Sequence, residues 1–149
     1  MKHEWAILLC VLCCATSAEE HKTLVDRVGA TGFLQLEADS FNALTPQQKE
    51  LGYWLSQASI AINPIIYDQL SRFGLRQKRL LEAAIAQPQP NPKILNYTKL
   101  FWANRGNHHE QTAQKFLPEF TFEELKAVTP KAYQKDLEEL RASFFDPDF

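Results

Sequence analysis

Three dipeptides constrain the fold more than any other feature: Thr45-Pro46, Asn91-Pro92 and Thr129-Pro130. Each sets a side chain able to accept from the free amides of a first helical turn directly before a proline. Proline suits that first position because the N–H it lacks would be unpaired there anyway. Gln48 stands three residues after Thr45, and Glu124 three after Thr121, which completes two reciprocal capping pairs. Helix starts are therefore predicted at Thr45, Asn91, Thr121 and Thr129. After the first of them Leu51, Trp54, Leu55, Ala58 and Ile62 recur at three and four, the spacing of a buried helical stripe.

Proline also predicts interruptions. Asn63-Pro64 should break or kink the helix, since proline lacks the ladder amide and disfavours helical geometry before it. Ile65, Ile66, Leu70 and Phe73 then read as a short second helix closed by Gly74 in a left-handed cap. Residues 75–86 follow with Leu80, Leu81, Ala84 and Ile85 on one face. The proline-rich stretch 87–92 is a linker, and the next helix runs through Ile94, Tyr97, Leu100 and Phe101 to Asn104. Tyr133, Leu137 and Leu140 share a face of the last helix. Near the start, residues 21–31 carry Leu24, Val25 and Val28 on one helical face and stop at Gly29 and Gly32, a weak first helix, with 33–36 extended or irregular. The fold class is mainly α: one irregular helical domain of about six or seven helices.

The opening of the chain reads as targeting. Lys2 supplies a positive start, residues 6–14 are nine consecutive apolar side chains, and Ala15-Thr16-Ser17-Ala18 offers small residues for cleavage. The run falls short of the roughly 20 apolar residues that cross a bilayer. Residues 1–18 are thus a predicted signal peptide, with an uncleaved anchor, a buried helix or a lipid attached to a cysteine as alternatives. All three cysteines, at 10, 13 and 14, lie inside it. The remaining segment, 19–149, has no thiol for a disulfide, a zinc site or a nucleophile, which fits an exported, periplasmic or extracellular protein. With 16 cations against 18 anions the net charge is −2, too balanced for a nucleic-acid partner. The three cations among residues 76–79 read as a solvated helix face.

Chemistry has few candidates. His109-Glu110 is the first half of a zinc-peptidase motif, but its second histidine would fall at Ala113, or at Gln114 in the lengthened form, and neither side chain binds zinc. With His108 alongside, the triplet reads as a polar loop or cap. Ser40, Ser56, Ser59, Ser71 and Ser143 lack the glycines of a nucleophile elbow. Glu123, Glu124, Glu138 and Glu139 belong on exposed helix surfaces. No catalytic, cofactor-binding or metal residue is assigned. The final residues, Phe144-Phe145-Asp146-Pro147-Asp148-Phe149, read as an apolar patch in want of cover, with Leu137 and Leu140 beside it.

Several segments in order carry a resemblance: 41–58 (FNALTPQQKELGYWLSQA), 65–69 (IIYDQ), 101–108 (FWANRGNH), 115–118 (KFLP) and the closing Phe-Phe-Asp-Pro. Together they resemble the N-terminal helical part of bacterial dipeptidyl peptidase III-like proteins, from about Phe33 to the last residue. The resemblance implies a zinc-dependent exopeptidase that releases dipeptides from peptide N-termini, with two lobes around a wide cleft. Its zinc motif, HExxxH with a later glutamate ligand, has no counterpart here, so no zinc ligand, catalytic glutamate or peptide anchor transfers. Three readings follow. The first is the non-catalytic N-terminal portion of such an enzyme, with the missing C-terminal part as partner. The second is a free-standing exported helical binding module that meets another protein chain through its aromatic end. The third, an independent enzyme built on His109 and Glu110, fails on ligand count.

Overall fold

Local capping chemistry sets the longest element. The Thr45 Oγ1 accepts from the Gln48 amide at 3.3 Å, the Gln48 Oε1 accepts from the Thr45 amide at 2.9 Å, and helix α1 (Pro46–Leu70) begins there. A computed structural model describes residues 23–149. The signal-peptide reading of 1–18, the three cysteines, His3 and His21 lie outside the described residues. Within them, the fold is mainly helical, as the sequence predicts. Six α-helices follow a two-stranded sheet: α1, α2 (Gly74–Ile85), α3 (Pro92–Asn104), α4 (Phe122–Val128), α5 (Gln134–Glu139) and α6 (Arg141–Phe145). Short 3-10 turns occupy Asp39–Ala43 and Lys131–Tyr133.

The weak helix predicted over 21–31 is instead a hairpin of β1 (Leu24–Val28) and β2 (Thr31–Leu34), antiparallel, with Val28 opposite Thr31 and a bulge between Leu24 and Asp26. Three apolar residues could not fix a period. Alternation decides it, with Leu24, Asp26 and Val28 turned inward, and Gly29 closes the turn at φ +55°, a conformation that favours glycine. The Lys99 ammonium of α3 holds the hairpin by pairing with Asp26 at 2.6 Å.

Pro64 does not break α1, which runs continuously past it to Leu70. The missing amide orphans the carbonyl four residues back, at Ile60, and that residue is exposed, so water can satisfy it. Gly74 is likewise no left-handed cap; it opens α2. A Cβ there would come within 2.5 Å of the Tyr67 carbonyl oxygen, so the corner between α1 and α2 needs a residue without one. Helices α2 and α3 pack as a hairpin, and the proline-rich stretch between them is a short connection inside one core. Asn91 Oδ1 accepts from the Lys93 amide at 3.0 Å, and Thr121 forms the second capping box with Glu124. Thr129 departs from its predicted role. It ends α4, and its hydroxyl donates back to the Leu125 carbonyl at 2.7 Å, leaving nothing to cap the turn that follows.

Tyr97 on α3 is the centre of the core. Its ring lies 5.4 Å from those of Phe116 and Phe120, 6.3 Å from Phe144 and 6.5 Å from Phe101. This cluster overturns the expectation of an uncovered C-terminal patch: Leu137, Leu140 and Phe144 are fully buried, and Phe145 is partly buried against Phe120 and Phe122. Of that patch Phe149 stays 49% exposed, and the longest run of uncovered apolar side chains is on α1. The stripe predicted as buried is open to solvent, with Leu51 58%, Trp54 60%, Leu55 62% and Ile62 55% exposed, and Tyr67 is the helix's one fully buried side chain among the described residues. At about 1.5 Å per residue the helix is some 37 Å long, and it meets the body through its C-terminal part.

The cations at 76–79 also do more than meet solvent. Arg76 bonds Asp136 and Glu139 of α5, Lys78 pairs with Glu82 at 2.6 Å, and Gln77 between them is buried. Two substitutions separate the covered surface from the uncovered one. Phe144→Ala should cost about 3–5 kcal/mol, the loss expected for deleting a fully buried ring. Trp54→Ala should stay within about 0.5 kcal/mol, as exposed substitutions do. Urea denaturation of both variants followed by circular dichroism measures the contrast.

Candidate functional site

The loop after α3 holds the polar residues that drew attention in the sequence, and its shape comes from how α3 ends. Arg105 takes the left-handed conformation at φ 55°, and the Gly106 amide returns to the Phe101 carbonyl at 3.0 Å. The chain then doubles back on itself. The Phe116 amide donates to the Asn107 carbonyl at 3.0 Å and the His109 amide to the Gln114 carbonyl at 2.8 Å, which sets His108 opposite Lys115 in a small antiparallel bridge. Asn104 supports the turn, accepting from the Glu110 amide at 3.1 Å and donating to the Leu100 carbonyl at 2.9 Å.

The predicted triplet borders one cleft under the loop, His108, His109 and Glu110 all lining it, with the His109 ring packed 5.1 Å from that of Phe116 and Glu110 exposed. Ala113, at φ 55°, serves the turn. Among the described residues no group of three or more His, Cys, Asp or Glu side chains is placed to hold a metal ion. Glu124 is committed to its capping box, and the backbone and hydroxyl of Thr121 hold its carboxyl below the usual range. Glu138 pairs with Lys126 at 2.7 Å.

Beneath the loop lies a polar floor that sequence reasoning missed. Gln77 of α2, Asn107 of the loop and Ser143 of α6 are all buried. Both amide side chains converge on one carbonyl: Gln77 Nε2 donates to Ser143 O at 3.3 Å and Ser143 Oγ at 3.1 Å, and Asn107 Nδ2 donates to the same carbonyl at 2.7 Å. Ser143 Oγ donates to Leu140 O at 2.7 Å, so it is a structural hydroxyl with no base beside it among its partners. The one signal for Gln77 was its place on the apolar face of α2, three and four residues before Leu80 and Leu81. Tyr97 lies nearby with a buried hydroxyl that makes no hydrogen bond of ordinary geometry. Burial pushes its pKa well up, and the neighbouring Asn107 side chain offsets part of that rise.

Above this floor two adjoining clefts of about 330 and 280 Å³ share Ser71, Gln77, Asn107 and His108 in their walls. Phe73 and Phe149, with rings 5.3 Å apart, close one end. Burial lowers the His108 pKa, and the Lys115 ammonium lowers it further. Lys115 is itself lowered by burial against the counteracting charge of Asp146. The chain matches no protein-family model and no curated protein. Among the described residues no helix is long and apolar enough to cross a membrane.

Two measurements follow from this site. Residues 19–149, loaded with zinc and dialysed, should retain no stoichiometric metal; one zinc per chain, lost in His109→Ala, would reverse that expectation. The His108 ring protons, followed by NMR, should titrate below the ordinary midpoint of about 6.5. Because its folded-state pKa is the lower one, the unfolded chain takes the proton first, so stability should fall as pH drops through that unfolded value. His108→Gln should remove that share of the fall.

Proposed function

We propose that this chain is the N-terminal, non-catalytic portion of an exported dipeptidyl peptidase III-like zinc exopeptidase, supplying scaffold and cleft wall. The observation that carries the reading is the overhang of α1. Residues 51–67 contain no charged side chain, and apolar residues face outward on more than one side: Leu51, Trp54, Leu55 and Ile62 along one stripe, Tyr53 and Ile60 on another. A helix apolar on all sides belongs inside a larger body. Fully burying such a side chain is worth roughly 1.5–3 kcal/mol. Covering the remaining half of these six offers about 4.5–9 kcal/mol, comparable to the stability of a whole domain. The longest segment of the family resemblance, 41–58, runs into this surface and includes Leu51, Tyr53, Trp54 and Leu55. In this reading the rest of the enzyme covers it and brings the zinc ligands and the catalytic glutamate.

The burial of Leu137, Leu140 and Phe144 favours a second reading, the exported helical module that folds by itself and binds another protein chain. There too the interface moves from the aromatic end to α1. The reading frame beyond the Phe149 codon separates the two. The enzyme reading expects it to continue and to encode HExxxH with a later glutamate; an unrelated gene following a stop codon overturns that reading and leaves the module. In either case, residues 19–149 should self-associate in sedimentation velocity runs, and Trp54→Lys combined with Leu55→Lys should shift them toward monomer.

A further inference from the structure

Helix α1 carries its apolar stripe on the side turned away from the rest of the chain. Counting about 100° per residue from Leu51, the side chains of Trp54, Leu55, Ala58, Ile62 and Ile65 fall within about 60° of it, whereas Tyr67, through which the helix is buried, lies about 160° round. All six stripe positions are exposed. Their five large side chains, each more than half exposed, present on the order of 600 Å² per copy, so two such faces together reach roughly the 1,200 Å² at which stable interfaces begin.

The face is also built to meet itself. Residues 51–67 carry no charge, so two copies oppose no like charges. A lipid surface fits less well, because helices that lie on membranes rim the apolar face with cations; the one cation of α1 is Lys49, over the Phe41 ring at 5.7 Å. Leu51, Trp54, Ala58, Ala61 and Ile65 recur alternately at three and four, the spacing of a two-helix seam, with the large side chains ahead of the two alanines. In a parallel pair Trp54 would meet Trp54 and Ala61 would meet Ala61, crowding one level and leaving a void at the other. Reversed about a two-fold axis level with residue 56, Trp54 faces the partner's Ala58 and Leu51 faces the partner's Ala61, large into small at both levels. The two bodies then stand at opposite ends of the pair.

We propose that a second copy of this chain covers the face, the two α1 helices packing antiparallel about that axis. This rests on the module reading and names its protein partner.

Sedimentation equilibrium of the full chain in reductant, between about 1 and 100 μM, should show a closed monomer–dimer equilibrium. Leu51→Glu and Ala61→Lys, at exposed positions where folding tolerates change, should each weaken the dimer about tenfold or more, since each sets a lone charge in an apolar seam. Mixed one to one, these two variants should return to within about threefold of the unaltered chain, because antiparallel pairing brings the introduced carboxylate beside the introduced ammonium. Leu51→Glu mixed with Leu51→Lys should not recover, for those two positions lie about 15 Å apart along the pair, beyond a screening length of about 8 Å. A chain monomeric throughout, association that Leu51→Glu leaves unchanged, or recovery in the second mixture in place of the first overturns the proposal. A monomer that sediments with phosphatidylcholine vesicles and is released by Leu51→Glu overturns it in favour of a lipid surface. Where the frame stops after Phe149, a monomer leaves the module standing with a different partner; a frame running on into HExxxH removes the module itself.

Discussion

The fold depends on the aromatic contacts around Tyr97. A single ring on α3 is in reach of Phe101 from its own helix, of Phe116 and Phe120 from the segment that follows the loop, and of Phe144 from α6. Parts of the chain too short to persist alone, such as the five-residue α6, are held because each adds a ring to this cluster. The polar floor sits directly beside it. Gln77 and Asn107 can meet at the Ser143 carbonyl only because Phe144, the next residue, is anchored against Tyr97. Packing thus sets the position of the site's hydrogen bonds.

Charge then fixes the helices around that core. Arg76 reaches from α2 to two carboxylates of α5, which hold its guanidinium further toward the charged state, and Lys99 ties α3 to the hairpin. These side chains are roughly a quarter to a half exposed, so each pair adds little stability by itself. What they add is a fixed point between elements: α2 to α5 through Arg76, and α3 to the hairpin through Lys99.

What was legible in the sequence was what neighbours decide. The caps at Thr45, Asn91 and Thr121 involve residues two or three apart, and chemistry at that range is written in the local string. Thr129 misled because its hydroxyl had two possible partners and took the carbonyl behind it. The first hairpin misled because what holds it, Lys99, lies 73 residues from Asp26. The stripe on α1 shows the limit of periodicity: spacing reveals an apolar face, and it is silent on whether anything lies against that face. The same limit, reversed, explains Phe144, whose ring partner Tyr97 comes from α3, 47 residues earlier. Gln77, Asn107 and Ser143 come from three elements, 36 and 66 residues apart at the bonds that join them, so no motif could announce them.

Gly74 gives α1 a property that its exposed surface alone would not. With the α2 backbone packed against the Tyr67 carbonyl, more closely than a Cβ would allow, and Tyr67 stacked on Phe101 at 5.8 Å, the root of the long helix is clamped on two sides. The overhang leaves the body at an angle set at that root. A body that closes over it meets a surface whose orientation is already decided, and little conformational freedom remains to be lost on contact. A bulkier residue at 74 would leave every apolar side chain of the overhang in place and still change its aim, weakening assembly through direction alone.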